Sequence, residues 1–346
     1  MDLKSKYKSI YPHAIFLEHE ISQEVESFLR RRGWVAPDEK IHSTEKPGEG
    51  NMNFVLRVIT DQKSFILKQS RPWVEKFPQV DAPIERIQVE YNFYHFIAPY
   101  KGVNQYTPAV IGFDAEQFML ALEDLGSGAD YTYLYQKGKQ LSQEEIEALS
   151  KLISVLHQVN VDEKEKVKFD NQPMKVLNHE HIFVFPYAVD NGFDLDSIQP
   201  GLQELAMHYK RNEGLKKKIT KLGKIYLDNY NTLLHGDYYP GSWLKVESGL
   251  KLIDPEFSYF GKAEFDLGVM LAHLKMAQQT EESIELVLKN YEKPGNFDED
   301  LMWAFSGVEM MRRIIGLAQL PLSLDLTEKE GLLEEAVSLI NHYEKV

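Results

Sequence analysis

Reactive side chains are densest in His235-Gly236-Asp237-Tyr238-Tyr239-Pro240-Gly241-Ser242, followed after a predicted hairpin by Asp254-Pro255-Glu256. Three carboxylates on two adjacent loops repel one another unless a cation sits among them, and oxygen ligands suit Mg²⁺ far better than Zn²⁺. The cluster therefore predicts a hard-metal site. The competing reading is a pair of ordinary turns, since Asp, Pro and Gly are all turn formers.

A second group precedes it. Gly48-Glu49-Gly50-Asn51-Met52-Asn53 is a glycine-bearing turn that enters a strand, where backbone N–H groups can approach phosphate oxygens closely. Alone, such a turn is a hairpin and nothing more. Lys68 in the next strand, and Glu90 22 residues further on in a helix, give it meaning. A strand lysine held by a helix glutamate is the ion pair with which kinases grip nucleotide phosphates.

The elements that must hold these residues follow from hydrophobic period. Asn53 to Thr60 and Ser64 to Gln69 are β-rich runs joined across Asp61-Gln62-Lys63, a predicted hairpin. Ile84, Ile87, Tyr91, Tyr94 and Ala98 recur at helical spacing until Pro99 stops them. The run Gln117 to Ala121 leads as a strand into the connector Leu122-Glu123-Asp124-Leu125-Gly126. From the capping box of Ser142 and Glu145 onward the period is helical, interrupted by β-like runs at 232–234, 243–246 and 250–254. The reading is an α+β chain in two lobes around a cleft. Residues 1–122 form a small β-rich lobe and 123–346 a larger, mainly helical one.

Composition agrees with this and removes alternatives. At roughly 150 residues per domain, 346 residues make two domains or lobes. With 39 Lys plus Arg against 53 Asp plus Glu, the net charge of -14 opposes nucleic-acid binding. No run approaches the roughly 18 apolar residues of a membrane span, and the start lacks a signal-peptide core, so a cytoplasmic, membrane-free protein is expected. With no cysteine, disulfides and thiolate chemistry are excluded. A homodimer remains compatible with the sequence.

Taken in order, the glycine turn, Lys68, Glu90, Glu123-Asp124-Leu125, His235-Gly-Asp237 and Asp254-Pro-Glu256 resemble the aminoglycoside-phosphotransferase-like small-molecule kinases. Within that superfamily the likeness is greatest to the methylthioribose kinases. GEGNMN stands for their G-x-G-N-x-N turn, HGDYYPGS for H-G-D-L-H-T-G-S, DPEFSYFG for D-P-E-F-x-F-Y-G, and Arg312-Arg313 for their paired arginines. The resemblance spans about Ser43 to Leu320. Ser242 stands where most relatives carry asparagine.

The resemblance implies a two-lobed protein-kinase-like fold and ATP- and Mg²⁺-dependent transfer to a hydroxyl of a small molecule, a sugar by the nearest likeness. Asp237 is then the catalytic aspartate, and Asp254 and Glu256 hold the metal with Ser242 beside them. Gly48, Gly50, Asn51, Asn53, Lys68 and Glu90 grip the nucleotide phosphates, and Glu123 and Leu125 belong to the adenine-binding connector. Arg312 and Arg313 hold the acceptor, Tyr238 and Tyr239 shape its far wall, and Asp266 braces the catalytic loop. Tyr238-Tyr239-Pro240 departs from the family's Leu-His-Thr, and its tryptophan-bearing loop has no counterpart beyond Trp73.

Other readings stand beside this one. One is a kinase of a cationic acceptor such as an aminoglycoside, choline or a glycated amine; another is a catalytically silent nucleotide-binding regulator. A metallo-phosphoesterase would leave Lys68 and the glycine turn unused. Further features read as structural: His179-Glu180-His181 as a surface or capping group, His157 and His273 as core histidines, and Lys216-Lys217-Lys218 as a solvated helix face. Without the resemblance, Arg312 and Arg313 would read as a surface ion pair.

Overall fold

The computed structural model describes residues 2–48 and 52–345, so Gly50 and Asn51 of the glycine turn lie outside the described residues. The chain divides into two compact units, one made of Met1–Ser127 with Asp254–Glu256, the other of Gly128–Ile253 with Phe257–Val346.

In the first unit, helices α1 (Leu3–Ile10) and α2 (Gln23–Arg31) precede strands β1 (Ile41–Glu45), β2 (Phe54–Thr60), β3 (Ser64–Gln69), β4 (Trp73–Val74) and β5 (Phe77–Asp81). Helices α3 (Arg86–Ile97) and α4 (Lys101–Asn104) and strands β6 (Val110–Asp114) and β7 (Met119–Glu123) complete it. Five strands form an antiparallel sheet in the order β1-β2-β3-β7-β6, with the predicted hairpin as β2 and β3. Strand β2 alternates as a half-buried strand should: Phe54, Leu56 and Val58 pack with Phe65 and Leu67 of β3 against Val25, Phe28 and Leu29 of α2. The two N-terminal helices were not expected. Their N-caps, Asp2 and Ser22, each accept a backbone N–H, which is where their starts were readable.

Helix α3 corrects the expected stripe. Its buried face carries Arg86, Ile87, Val89, Glu90, Phe93, Tyr94 and Ile97; Ile84 precedes the helix, and Tyr91 is half-buried, stacked on Phe113. An apolar period is blind to this face because two of its members are charged. Successive strand residues point to opposite faces, so with Phe65 and Leu67 in the core, Lys68 projects to the other side, where Glu90 meets it.

The second unit holds β8 (Ala129–Asp130), α5 (Gln143–His157), α6 (Glu163–Lys166), α7 (Gln172–His179), α8 (Leu202–Lys210) and α9 (Glu213–Leu227). Strands β9 (Thr232–Leu234), β10 (Trp243–Val246), β11 (Gly249–Leu252) and β12 (Tyr259–Gly261) follow, then helices α10 (Ala263–Met276), α11 (Glu281–Asn290), α12 (Glu299–Ile315) and α13 (Leu326–His342). The strands form two small sheets, β11-β10-β8 and β12-β9. The capping box that starts α5 is made by Ser142 and Glu145 as expected. Helices α10 and α12 form the centre of this unit and are buried almost all round. At Gly268 an added Cβ would lie 2.6 Å from the Met302 carbonyl oxygen, so only glycine allows α10 and α12 to approach this closely. Among the described residues no helix is long and apolar enough to cross a membrane. The β-rich first unit and mainly helical second unit make up the α+β class expected.

Candidate active site

In the first unit, Lys68 on the central strand β3 is almost fully buried and donates to Glu90 Oε1 at 2.6 Å and to Asp254 Oδ1. Burial alone would lower the lysine pKa, but Asp254 and Glu90 outweigh it and hold the group well above its ordinary value. It is a fixed cation. Asp254 adopts φ +62°, in the left-handed region that Asp tolerates better than most side chains.

Glu256 lies two residues on and is buried; its Oε2 accepts from Asn53 Nδ2 at 3.0 Å and stands 3.3 Å from Arg86 Nε. Burial pushes this carboxyl up to about 8, aided by Glu90 and Asp254 and opposed by Arg86. Asn53 Oδ1 is buried with no hydrogen-bond partner. Two carboxylates and an amide oxygen without a hydrogen-bond partner are a donor set that suits a hard divalent cation, which Asp254 and Glu256 could hold. Among the described residues no three acidic or histidine side chains stand together as a metal cluster. Each of the three acids has a cationic partner: Lys68 at Asp254, Arg86 at Glu256, Arg313 at Asp237.

The connector is pinned at its start. Glu123 ends β7, where its N–H donates to the Ala109 carbonyl at 2.8 Å and its carboxylate accepts from the Ala109 N–H at 3.0 Å. Asp124 accepts from Arg57 at 2.8 and 3.1 Å, and Leu125 is half-buried beside it. Gly48 is exposed with open space around its Cα, so packing does not demand glycine there.

In the second unit, the loop after β9 is braced by Asp266 of α10, whose carboxylate accepts from the N–H groups of His235 at 2.6 Å and Gly236 at 2.9 Å. Gly236 has φ +85°, and a Cβ there would fall 2.2 Å from the Phe257 carbonyl oxygen. Only glycine fits. Ser242 Oγ donates to the Asp237 carbonyl at 2.8 Å, so its hydroxyl proton closes the loop on itself.

Asp237 Oδ1 accepts from Arg313 Nη2 at 3.3 Å. Burial raises the Asp237 pKa, and Arg313 and Arg312 oppose that rise. Both arginines are buried and bound to Glu309, one turn earlier on α12: Arg312 Nη1 at 3.1 and 3.0 Å, Arg313 Nε at 2.6 Å. The surface-pair reading is thereby excluded. Glu309 also accepts from His273 Nε2 at 3.1 Å, while the other ring nitrogen accepts from the Tyr135 hydroxyl at 2.6 Å. Burial lowers the His273 pKa to about 4, so the ring is neutral.

The two tyrosines separate. Tyr239 lies under the Arg313 guanidinium at 4.9 Å. Tyr238 is fully buried and donates its hydroxyl to the Leu149 carbonyl at 2.8 Å, so it packs in the core and corrects the expectation that it shapes a wall. Trp73 is likewise fully buried, edge-on to Tyr7. Sequence reasoning missed Glu309, Arg86 and the part played by His273. Glu309 was readable from its spacing of three and four residues to the arginines, and Arg86 from its spacing of four to Glu90. His157, by contrast, is the core histidine expected, with Nδ1 at 2.7 Å from the Tyr291 hydroxyl.

A strand lysine locked to a helix glutamate in a β-rich unit, followed by a helical unit with a braced His-Gly-Asp loop, defines a kinase-type phosphotransferase. The profile of the phosphotransferase enzyme family matches residues 44–300, and the chain belongs to that family. It is a small-molecule kinase. Methylthioribose kinase of Bacillus cereus (strain G9842) is 25% identical over 345 residues, covering 84% of each chain, and that of Bacillus thuringiensis (strain Al Hakam) gives the same figures. The fold is shared with choline kinase of Streptococcus pneumoniae, at TM-score 0.53 and 14% identity over 93% of this chain and 100% of that one. A spectinomycin phosphotransferase solved with ADP and spectinomycin gives 0.54 and 12% over 95% and 100%.

Proposed function

We propose that this chain transfers the γ-phosphoryl group of ATP, with Mg²⁺, to a hydroxyl of a small sugar of the methylthioribose kind. The observation that carries the reading is the buried Lys68–Glu90 pair reaching Asp254. A cation fixed in place neutralises phosphate oxygens without reorganising, which is most of what phosphoryl transfer requires. Asp254 and Glu256 would hold the magnesium, which when bound screens the phosphate charge. The glycine turn and the Glu123–Leu125 connector would take the phosphates and the adenine. Asp237 accepts the acceptor hydroxyl proton as that oxygen bonds to phosphorus and the bond to the leaving ADP oxygen breaks. Arg313 keeps the Asp237 carboxylate oriented.

The sugar assignment rests on the methylthioribose kinases among the relatives and on the acceptor end of the site. Here Glu309 and Asp237 balance Arg312 and Arg313, so no excess negative charge calls for a cationic acceptor. The experiment compares kcat/KM for methylthioribose, ribose and an aminoglycoside in wild type and in Arg312→Ala. Wild-type preference for a sugar, reduced in Arg312→Ala, is expected. Preference for the aminoglycoside would replace the sugar reading with the cationic-acceptor one.

A further inference from the structure

Tyr239 is half-buried, and its backbone is fixed by the loop it belongs to. Its N–H donates to the Asp237 carbonyl at 3.1 Å, and its carbonyl accepts from the Ser242 N–H at 2.8 Å. A Cβ on Gly241 would fall 2.3 Å from the Tyr239 hydroxyl oxygen and 2.4 Å from Cζ, so the ring lies in space that a side chain at 241 would take. In that position the ring meets the Arg313 guanidinium at 4.9 Å and the His273 ring at 5.1 Å.

These contacts close a circuit. His273 Nε2 donates to Glu309 Oε1 at 3.1 Å, and Arg313 Nε donates to the same oxygen at 2.6 Å. Tyr239 therefore completes a ring of four side chains, Arg313, Tyr239, His273 and Glu309, drawn from the loop after β9, from α10 and from α12. The circuit has work to do at its open end, where Arg313 Nη2 donates to Asp237 Oδ1 at 3.3 Å. That bond is long, too weak to hold the guanidinium by itself. Glu309 fixes one nitrogen and leaves the group free to swing about that bond; an aromatic ring within about 6 Å limits the swing, because the attraction fades as the cation leaves the ring.

We propose that Tyr239 is a positioning residue that holds the Arg313 guanidinium on the Asp237 carboxylate, acting on transfer through Arg313 and not by touching the acceptor. The inference rests on the assignment of Asp237 to the acceptor hydroxyl. The ring is the part that matters. Phenylalanine keeps it, whereas leucine keeps apolar bulk and loses the π face that attracts the cation. Gly241 serves the same end by leaving the ring its place, so alanine at 241 displaces the ring without altering its chemistry.

The test separates kcat from KM. Wild type, Tyr239→Phe, Tyr239→Leu, Gly241→Ala and the Tyr239→Leu/Gly241→Ala double variant are melted, then assayed with ATP, Mg²⁺ and methylthioribose. NMR relaxation of the arginine side-chain N–H groups, with Arg313 assigned by its loss in Arg313→Lys, reads the mobility of the guanidinium without substrate. In Tyr239→Leu, kcat should fall about tenfold, the scale of a partly desolvated cation–π contact. KM for methylthioribose should stay within about twofold, as for an interaction that does not bind the ground state, and the Arg313 order parameter should drop. Tyr239→Phe, the conservative variant, should restore all three towards wild type. Gly241→Ala should reproduce the losses of Tyr239→Leu and add nothing to them in the double variant. A raised KM at wild-type kcat would make Tyr239 an acceptor contact, and losses in Tyr239→Phe equal to those in Tyr239→Leu would assign the effect to the hydroxyl. An Arg313 order parameter unchanged in both Tyr239→Leu and Gly241→Ala would mean that the ring restrains nothing. Each of these overturns the proposal. Should Tyr239→Leu fail to fold, Gly241→Ala carries the test; loss of fold in both would show a role in the fold alone and overturn it too. A wild type that turns over no methylthioribose would instead remove the sugar reading, and the Arg313 order parameters would still decide the positioning role.

Discussion

Glu309 accepts a hydrogen bond from Arg313 Nε at 2.6 Å, and the same guanidinium donates through Nη2 to Asp237 Oδ1 at 3.3 Å. The orientation of the candidate catalytic carboxylate is thereby passed back to a glutamate four residues away on α12. Burial alone would raise the Glu309 pKa, but Arg312 and Arg313 outweigh it and hold the group well below its ordinary value. Glu309→Gln should destabilise the fold by about 3–5 kcal/mol, the usual result of removing one partner from a buried ion cluster. Urea denaturation reads this directly. A loss below about 1 kcal/mol, the scale of a surface pair, would show that the cluster is solvated.

His273 makes the same cluster sensitive to acid. Tyr135, Glu309, Tyr239, Arg312 and Arg313 face its ring, and its pKa of about 4 lies below the ordinary 6.5. As pH falls through 6.5 the unfolded chain takes up a proton that the folded chain refuses. Stability is therefore present above pH 6.5 and is lost progressively down to about pH 4, by about 3 kcal/mol in all. Melting curves across that window should show the loss, and His273→Gln should flatten it. An unchanged slope in the variant would place the acid sensitivity elsewhere.

What the sequence revealed of this protein follows from which forces leave a local pattern. The hairpin of β2 and β3 and the capping box of α5 were legible because alternation and capping are written within a few residues. Lys68, Glu90 and Asp254 were legible as candidates because the order and spacing of their motifs resemble a known family. Helix α3 was found but its buried face was misdrawn, since Arg86 and Glu90 are buried by pairing with residues distant in the chain. Tyr238 and Tyr239 are neighbours of one type, yet only the packing against Leu149 and Arg313 tells the core ring from the one beneath the guanidinium. His273 looked like a core histidine, and it is one, but its partner Glu309 ties it to the arginines.

The Lys68–Glu90 pair should show strong coupling. Glu90 is fully buried, so Lys68→Met leaves an acid there without its cation, whereas Asp254 is about half exposed and can be served by water. Each of Lys68→Met and Glu90→Gln should cost about 3–5 kcal/mol, while the double variant should cost clearly less than their sum. Chemical denaturation of the four proteins completes the cycle. Strict additivity would mean that the two side chains act independently.

Asp237→Asn tests the proposed chemistry most directly. Asparagine keeps the side chain's shape and can still accept from Arg313 through its amide oxygen, so the loop braced by Asp266 and Ser242 should hold. It cannot take up the acceptor proton. Turnover should fall by about 10²- to 10⁴-fold, the usual worth of a positioned general base, while ADP affinity stays close to wild type because no nucleotide contact is assigned to this residue. A coupled assay of phosphoryl transfer gives the first quantity and calorimetry the second. Full activity in the variant would mean that the acceptor hydroxyl loses its proton elsewhere. A parallel collapse of ADP binding would mean that Asp237 serves the nucleotide rather than the sugar.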